Sequence, residues 1–197
     1  FTAFVQADDI AGLFQTLLSG ADQLTGSAGD DVLVGGAGDD LLDGGTGADV
    51  MIGGDGNDIY VIDQAGGPDQ AGDSVIEAVD GGTDEIRTSI HWGLQGTNVE
   101  NMTAVGTGNI FLSGSDVANV LTGNDGDNYI VGEGGNDTID GGLGGDTASF
   151  GLPAGTAGTL VLVDGTGDDA GKLLIQLVDG EIVEAVARVT LTGESGA

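Results

Sequence analysis

"GSAGDDVLVGGAGDDLLDGGTGADVMIGGDGNDIYV", Gly26 to Val61, divides into four nines with nothing left over. The first place of each nine is Gly26, Gly35, Gly44 or Gly53, and the fourth is Gly29, Gly38, Gly47 or Gly56. The sixth is Asp31, Asp40, Asp49 or Asp58, and the eighth is Leu33, Leu42, Met51 or Tyr60. A fixed short period points to a solenoid, whose repeats contact only their neighbours, rather than to a globule around one closed core. Glycine admits positive φ and therefore a tight turn. The apolar residues after each aspartate make a strand too short to stand alone. Two nines then close one flattened coil with a turn on each side, so equivalent turns recur every 18 residues and stack about 4.8 Å apart.

Working outward, "LLSGADQLT" (17–25) keeps Gly20, Asp22 and Leu24 in phase, and the register returns at 114–149 as "GSDVANVLT", "GNDGDNYIV", "GEGGNDTID" and "GGLGGDTAS". There the sixth place holds Asn119, Asn128, Asp137 and Asp146. Between the tracts, "DSVIEAV" (73–79), "DEIRTSI" (84–90) and "NIFLS" (109–113) read as strands separated by turn residues. We expect this spacer to continue the solenoid in longer, irregular coils; the rival reading is a bulge or linker joining two stacks. Ile10, Leu13, Phe14, Leu17 and Leu18 fall at helical spacing behind Asp8 and Asp9, which predicts a short capping helix. Beyond Gly151 three apolar runs, 160–163, 173–178 and 182–191, predict strands of a cap or of an adjacent domain. The expected organisation is a cap over 1–20, a first tract over 21–61, spacer coils over 62–113, a second tract over 114–150, and a β-rich end over 151–197.

The charge is one-sided: 33 Asp and Glu face 3 Lys and Arg, a formal net charge of -30 in 197 residues. That argues against nucleic-acid backbones and anionic membranes as partners, and no apolar run is long enough to span a bilayer. The 41 glycines are about three times the usual share, and each costs entropy on ordering. There is no cysteine to offset that cost with a disulfide. Aspartates stacked one strand apart would repel unless a cation lay between them. The repeats offer carboxylate and carbonyl oxygens, with neither thiolate nor imidazole, which suits Ca²⁺, Mg²⁺ or Mn²⁺ rather than Zn²⁺ or Cu²⁺. A cage of backbone carbonyls supplies the six to eight oxygens that Ca²⁺ accepts and Mg²⁺ does not require.

"GGAGDDLLD" and "GGTGADVMI" match every fixed place of G-G-x-G-x-D-x-U-x, and on these residues the chain resembles the RTX family of calcium-binding repeats. The strict likeness covers 26–61 and, less strictly, 114–149. The resemblance implies an all-β, right-handed parallel β-roll with Ca²⁺ held in its turns. It also implies export by the type I secretion apparatus and folding outside the cell. Carried over place by place, it implies that Asp31 and Asp49 share ions on one side, and Asp22, Asp40 and Asp58 on the other. Asp137 and Asp146 take the same role in the second tract. Asn119 and Asn128 replace the family's aspartate and predict weaker sites. Backbone carbonyls of Gly36, Gly38, Gly45, Gly47, Gly54, Gly56, Gly142 and Gly144 would complete the shells, for about four ions. Asp30 and Asp39 read as solvated face, and Asp63, Asp73 and Asp84 stand as open candidates.

Catalytic motifs are missing. His91 is the single histidine, so a two-histidine zinc site cannot form. "DDAGKL" (168–173) lacks the first Gly and the Ser/Thr of a phosphate-binding loop, and "NDGDN" (124–128) lacks the distal Glu of an EF-hand. Tyr60, Trp92 and Phe111 read as core stacking before a sugar platform. The chain begins at Phe1, which we read as part of a longer polypeptide with neighbouring domains. The functional expectation is a non-enzymatic, secreted calcium-binding module. Two other readings are an accessory module of an exported lipase, metalloprotease or alginate epimerase, and a self-associating surface-layer or adhesin element.

Overall fold

The computed structural model describes residues 19–65 and 72–149, together with the strands 161–163 and 174–175. The expected helix at 7–18, and most of the expected strands beyond Gly151, lie outside the described residues. Every element described is a strand. The chain divides into two compact units, one of Phe1–Ile90 with Thr97–Val99, the other of His91–Gly96 with Glu100–Ala197.

In the first unit, β1 (Gln23–Thr25), β3 (Leu41–Asp43), β5 (Ile59–Ile62) and β7 (Glu85–Thr88) pair in parallel as one sheet. β2 (Val32–Ala37), β4 (Val50–Asp55) and β6 (Ser74–Ile76) form the other. Leu24 aligns with Leu42, Leu42 with Tyr60, and Leu33 with Met51, each pair 18 residues apart. Odd strands pairing only with odd, and even with even, is the signature of a coil that crosses from sheet to sheet at every turn. In the second unit β9 (Asn101–Ala104), β11 (Val120–Thr122), β13 (Thr138–Asp140) and β15 (Val161–Val163) form one parallel sheet. β8 (Trp92–Gly93), β10 (Phe111–Ser115), β12 (Tyr129–Glu133), β14 (Thr147–Ser149) and β16 (Leu174–Ile175) form the second. The fold of each unit is thus the all-β parallel solenoid that the nine-residue period predicts.

Side chains alternate in and out along each strand, and the period puts the same place inward at every coil. Leu42, Met51, Tyr60 and Ile86 are fully buried in the first unit; Met102, Leu112, Leu121, Ile130 and Ile139 are buried in the second. Residues flanking them stay on the outer face, where Phe111 and Tyr129 stack at 5.7 Å between ring centres. Of the three aromatic residues proposed for the core, Tyr60 is there and Phe111 is on the outside. His91 is exposed and accepts the Phe111 N–H at Nδ1 (2.9 Å), just ahead of the pairing of β8 with β10.

The spacer forms strands where "DSVIEAV", "DEIRTSI" and "NIFLS" lie, and two more, β8 and β9, that the sequence did not suggest. Its coils are longer. The bond from Asp49 to its counterpart on the next coil, Asp73, spans 24 residues, and that from Asp58 to Asp84 spans 26.

Candidate metal centre

The turns repeat one hydrogen-bond motif. The Asp22 N–H donates to Asp40 Oδ1 (2.7 Å), the Asp40 N–H to Asp58 Oδ1 (2.8 Å), and the Asp58 N–H to Asp84 Oδ1 (2.8 Å). On the opposite side Asp31 donates to Asp49 (2.9 Å) and Asp49 to Asp73 (3.2 Å). In the second unit Asn119 donates to Asp137 (3.0 Å) and Asn128 to Asp146 (2.8 Å). One oxygen of Asp40, Asp49, Asp58, Asp137 and Asp146 therefore ties its coil to the coil before. The other has a different fate: Oδ2 of Asp22, Asp40, Asp49 and Asp58 is buried without a hydrogen-bond partner.

What these second oxygens face is set by the first glycine of the nine. A side chain at Gly35 would collide with Asp40 Oδ2 and lie 2.8 Å from the Gly53 carbonyl oxygen. At Gly44 it would collide with Asp49 Oδ2, at Gly53 with Asp58 Oδ2, at Gly132 with Asp137 Oδ2, and at Gly141 with Asp146 Oδ2. Each glycine leaves a cradle where a carboxylate oxygen, and at Gly35 a carbonyl oxygen, come together. The glycines expected to lend carbonyls, Gly36, Gly38, Gly45, Gly47, Gly54, Gly56, Gly142 and Gly144, all have positive φ, between 80° and 138°. At Gly54 and Gly56 the requirement is double, since a Cβ would also strike the Gly36 and Gly38 carbonyl oxygens of the coil before. Carbonyls of Ser27, Gly29, Asn124 and Gly126 occupy the same relation to Gly45, Gly47, Gly142 and Gly144.

Burial raises the carboxyls of Asp40, Asp49 and Asp146 above the ordinary aspartate range, and those of Asp58 and Asp137 to about 6. Desolvation leads in every case, and neighbouring carboxylates push the same way. Asp31 runs opposite: the Ser27 N–H (2.6 Å) and hydroxyl (2.8 Å) bond its Oδ2 and lower its pKa. Ser27 opens the first tract as Ser115 opens the second, and Ser115 bonds Asn119 Oδ1 in the same manner (2.7 Å from N–H, 3.2 Å from hydroxyl).

Asn119 thus keeps its oxygen at the cradle of Gly114, with Nδ2 donating to the Glu100 carbonyl (2.9 Å). Asn128 is turned otherwise. Its Oδ1 takes the coil-to-coil bond from the Ile110 N–H (3.3 Å), so Nδ2 enters the cradle. There it reaches Gly126 O (2.6 Å), Asn124 Oδ1 (3.1 Å) and Asp146 Oδ1 (3.2 Å).

Sequence reasoning left other parts unassigned. Asp73 and Asp84 take the sixth-place role in the longer coils, and the signal was present: each stands one residue before a strand with Val75 or Ile86 two residues on. Asp63 donates its N–H to Asp73 Oδ2 (3.1 Å). The fifth place is exposed, as expected for Asp30 and Asp39, yet it braces the stack from outside. Asp30 accepts from the Ala48 N–H (2.9 Å), Asp39 from Asn57 (2.8 Å) and Asn57 from Thr83 (2.8 Å). Glu77, buried beside Asp58 and Asp84, was not foreseen; the three carboxylates each place an oxygen within 4.8 Å of the others.

The donor set consists of oxygens, the second carboxylate oxygens of Asp40, Asp49 and Asp58 are orphaned, and glycine holds the space before them open. These features fit a hard cation of flexible coordination, which is Ca²⁺. Fold and turns together define a parallel β-solenoid of the cation-binding class. The RTX calcium-binding nonapeptide repeat is found in the chain in four copies, over residues 18–51, 34–61 and 113–148. Comparison with curated proteins gives no match. The chain therefore carries RTX calcium-binding repeats, and its parallel β-solenoid fits a calcium-binding β-roll.

Proposed function

We propose that this β-roll is a calcium-driven folding module of a larger extracellular bacterial protein, threaded unfolded through a type I secretion apparatus and closed by Ca²⁺ outside. RTX repeats are typical of secreted bacterial proteins. The observation that carries the reading is the set of buried, unpartnered Oδ2 atoms of Asp40, Asp49 and Asp58, each facing a glycine cradle. Ions there would be held by Asp22, Asp31, Asp40, Asp49 and Asp58 in the first tract and by Asn119, Asp137 and Asp146 in the second. Carbonyls of the turn glycines complete the shells, for about four ions in all. Asn128 enters as a filler: its amide places a donor where the other turns leave room for a cation. On this reading 62–113 supplies spacer coils, and 151–197 is a β cap or the start of an adjacent domain.

Calorimetric titration tests this. Several Ca²⁺ equivalents are expected to bind with Kd of roughly 0.1–1 mM, the range of extracellular modules, with Mg²⁺ much weaker. Asn128→Asp is expected to gain one equivalent, because the change replaces the donor by a second carboxylate oxygen. Absence of calcium heat in a soluble, calcium-free sample contradicts the proposal.

A further inference from the structure

The last cradle of the first tract differs from the others. After Ile62 the nine-residue register stops, and the coil that follows Asp58 is 26 residues long instead of 18. The spacer brings Glu77 under the turn, where the regular repeat would bring only backbone. Asp58 is 1 % exposed, Asp84 1 % and Glu77 6 %. Asp58 Oδ2 has no hydrogen-bond partner, and it points into the space left by the missing side chain of Gly53. The Tyr60 hydroxyl and Glu77 Oε2 converge on the same space. Tyr60 donates its hydroxyl proton to Glu77 Oε2, and Glu77 Oε1 accepts the Ala78 N–H (2.6 Å). Gly81 keeps the far side clear, where a Cβ would collide with Glu77 Oε1 and come within 2.8 Å of the Gly54 carbonyl. Asn98 Nδ2 donates to the Glu77 carbonyl (2.9 Å), fixing the backbone that carries this side chain. The basic side chain present among the described residues, Arg87, is exposed and paired with Glu85 at 3.0 Å.

We propose that Asp58, Glu77 and Asp84, with the Tyr60 oxygen and the Gly54 carbonyl beside them, form a cation site built from side chains and distinct in kind from the repeat sites. Its ligand is a hard, highly charged cation: Ca²⁺, or a trivalent lanthanide in its place. A repeat site offers one orphaned carboxylate oxygen at a glycine cradle; this one gathers three carboxylates. Calcium affinity rises with ligand charge, so this site fills first and holds its ion longest on dilution. The inference rests on the reading of the repeats as calcium sites, because Asp58 belongs to both.

Terbium titration with emission excited through tyrosine tests it, since Tyr60 stands at the site. In the intact chain, sensitised emission is expected to saturate with the first equivalent, and Ca²⁺ to displace it last from this site. Tyr60→Phe is expected to remove most of that first signal. Glu77→Gln keeps the shape and removes one charge; it is expected to weaken the first binding event at least tenfold while calorimetry still shows the remaining calcium equivalents. A wild-type chain without tyrosine-sensitised emission at the first equivalent overturns the proposal, whatever the folding of the variants. So does a Glu77→Gln chain that titrates as the wild type does. Loss of all calcium heat from the wild type would instead overturn the reading of the repeats themselves.

Discussion

Stripped of calcium at neutral pH, the protein is expected to lose most of its parallel β structure. The chain carries a formal net charge of -30, and its aspartates are stacked coil upon coil: Asp22 on Asp40, Asp40 on Asp58, Asp58 on Asp84. Buried carboxylates without a counter-charge are costly, and ordering 41 glycines adds an entropic cost. Each ion present at ten times its Kd contributes ~1.4 kcal/mol, so about four contribute ~5–6 kcal/mol. That equals the whole stability of an ordinary small domain. Far-ultraviolet circular dichroism after chelation should show a largely disordered chain, and millimolar Ca²⁺, but not Mg²⁺, should restore the strand signal. A β spectrum unchanged by chelation would show that the turns close without a cation.

Acid is expected to do part of the work of calcium. The carboxyls of Asp58 and Asp137 titrate at about 6 in the folded protein against 3.8 for a free aspartate, and those of Asp40, Asp49 and Asp146 are raised too. Between those limits the folded state binds more protons than the unfolded one, so stability rises as pH falls from about 6 towards 4 and is flat above. Asp31, held ionised by Ser27, works the other way and contributes less as pH falls through its lowered value. Among the described aspartates one lowered group faces six raised ones, Asp63 included, and loss of net charge relieves self-repulsion in the same direction. Thermal melts in chelator should therefore show a more stable chain at pH 5 than at pH 7.5, and calcium affinity should weaken below pH 6 as protons compete. A calcium-free chain less stable at pH 5 would contradict the assignment of buried, uncompensated carboxylates.

Much of the solenoid was legible because it is periodic. A single frame of nine residues marks Leu42, Met51, Tyr60, Leu121, Ile130 and Ile139 as inward, and all are buried. The same frame picks out the aspartates that tie each coil to the one before. Legibility ends where the period ends. Glu77 reaches the turn through coil-to-coil steps of 24 and 26 residues, lengths that no repeat announces. Asn128 looks like a conservative loss of charge, but an amide has one oxygen. Once that oxygen serves the bond between coils, the nitrogen must face the cradle. The bracing by Asp30, Asp39 and Asn57 was hidden for another reason: exposed acids are common, and their backbone partners lie on the following coil.

The most direct measurement is anomalous scattering from crystals grown in millimolar calcium, collected at a wavelength where calcium scatters anomalously. Peaks are expected about 2.3–2.6 Å from Oδ2 of Asp40, Asp49 and Asp58, each beside the backbone of Gly35, Gly44 or Gly53. Turns that remain empty of anomalous density, with those oxygens hydrogen-bonded to water or protein instead, would contradict the claim that cations close the coils.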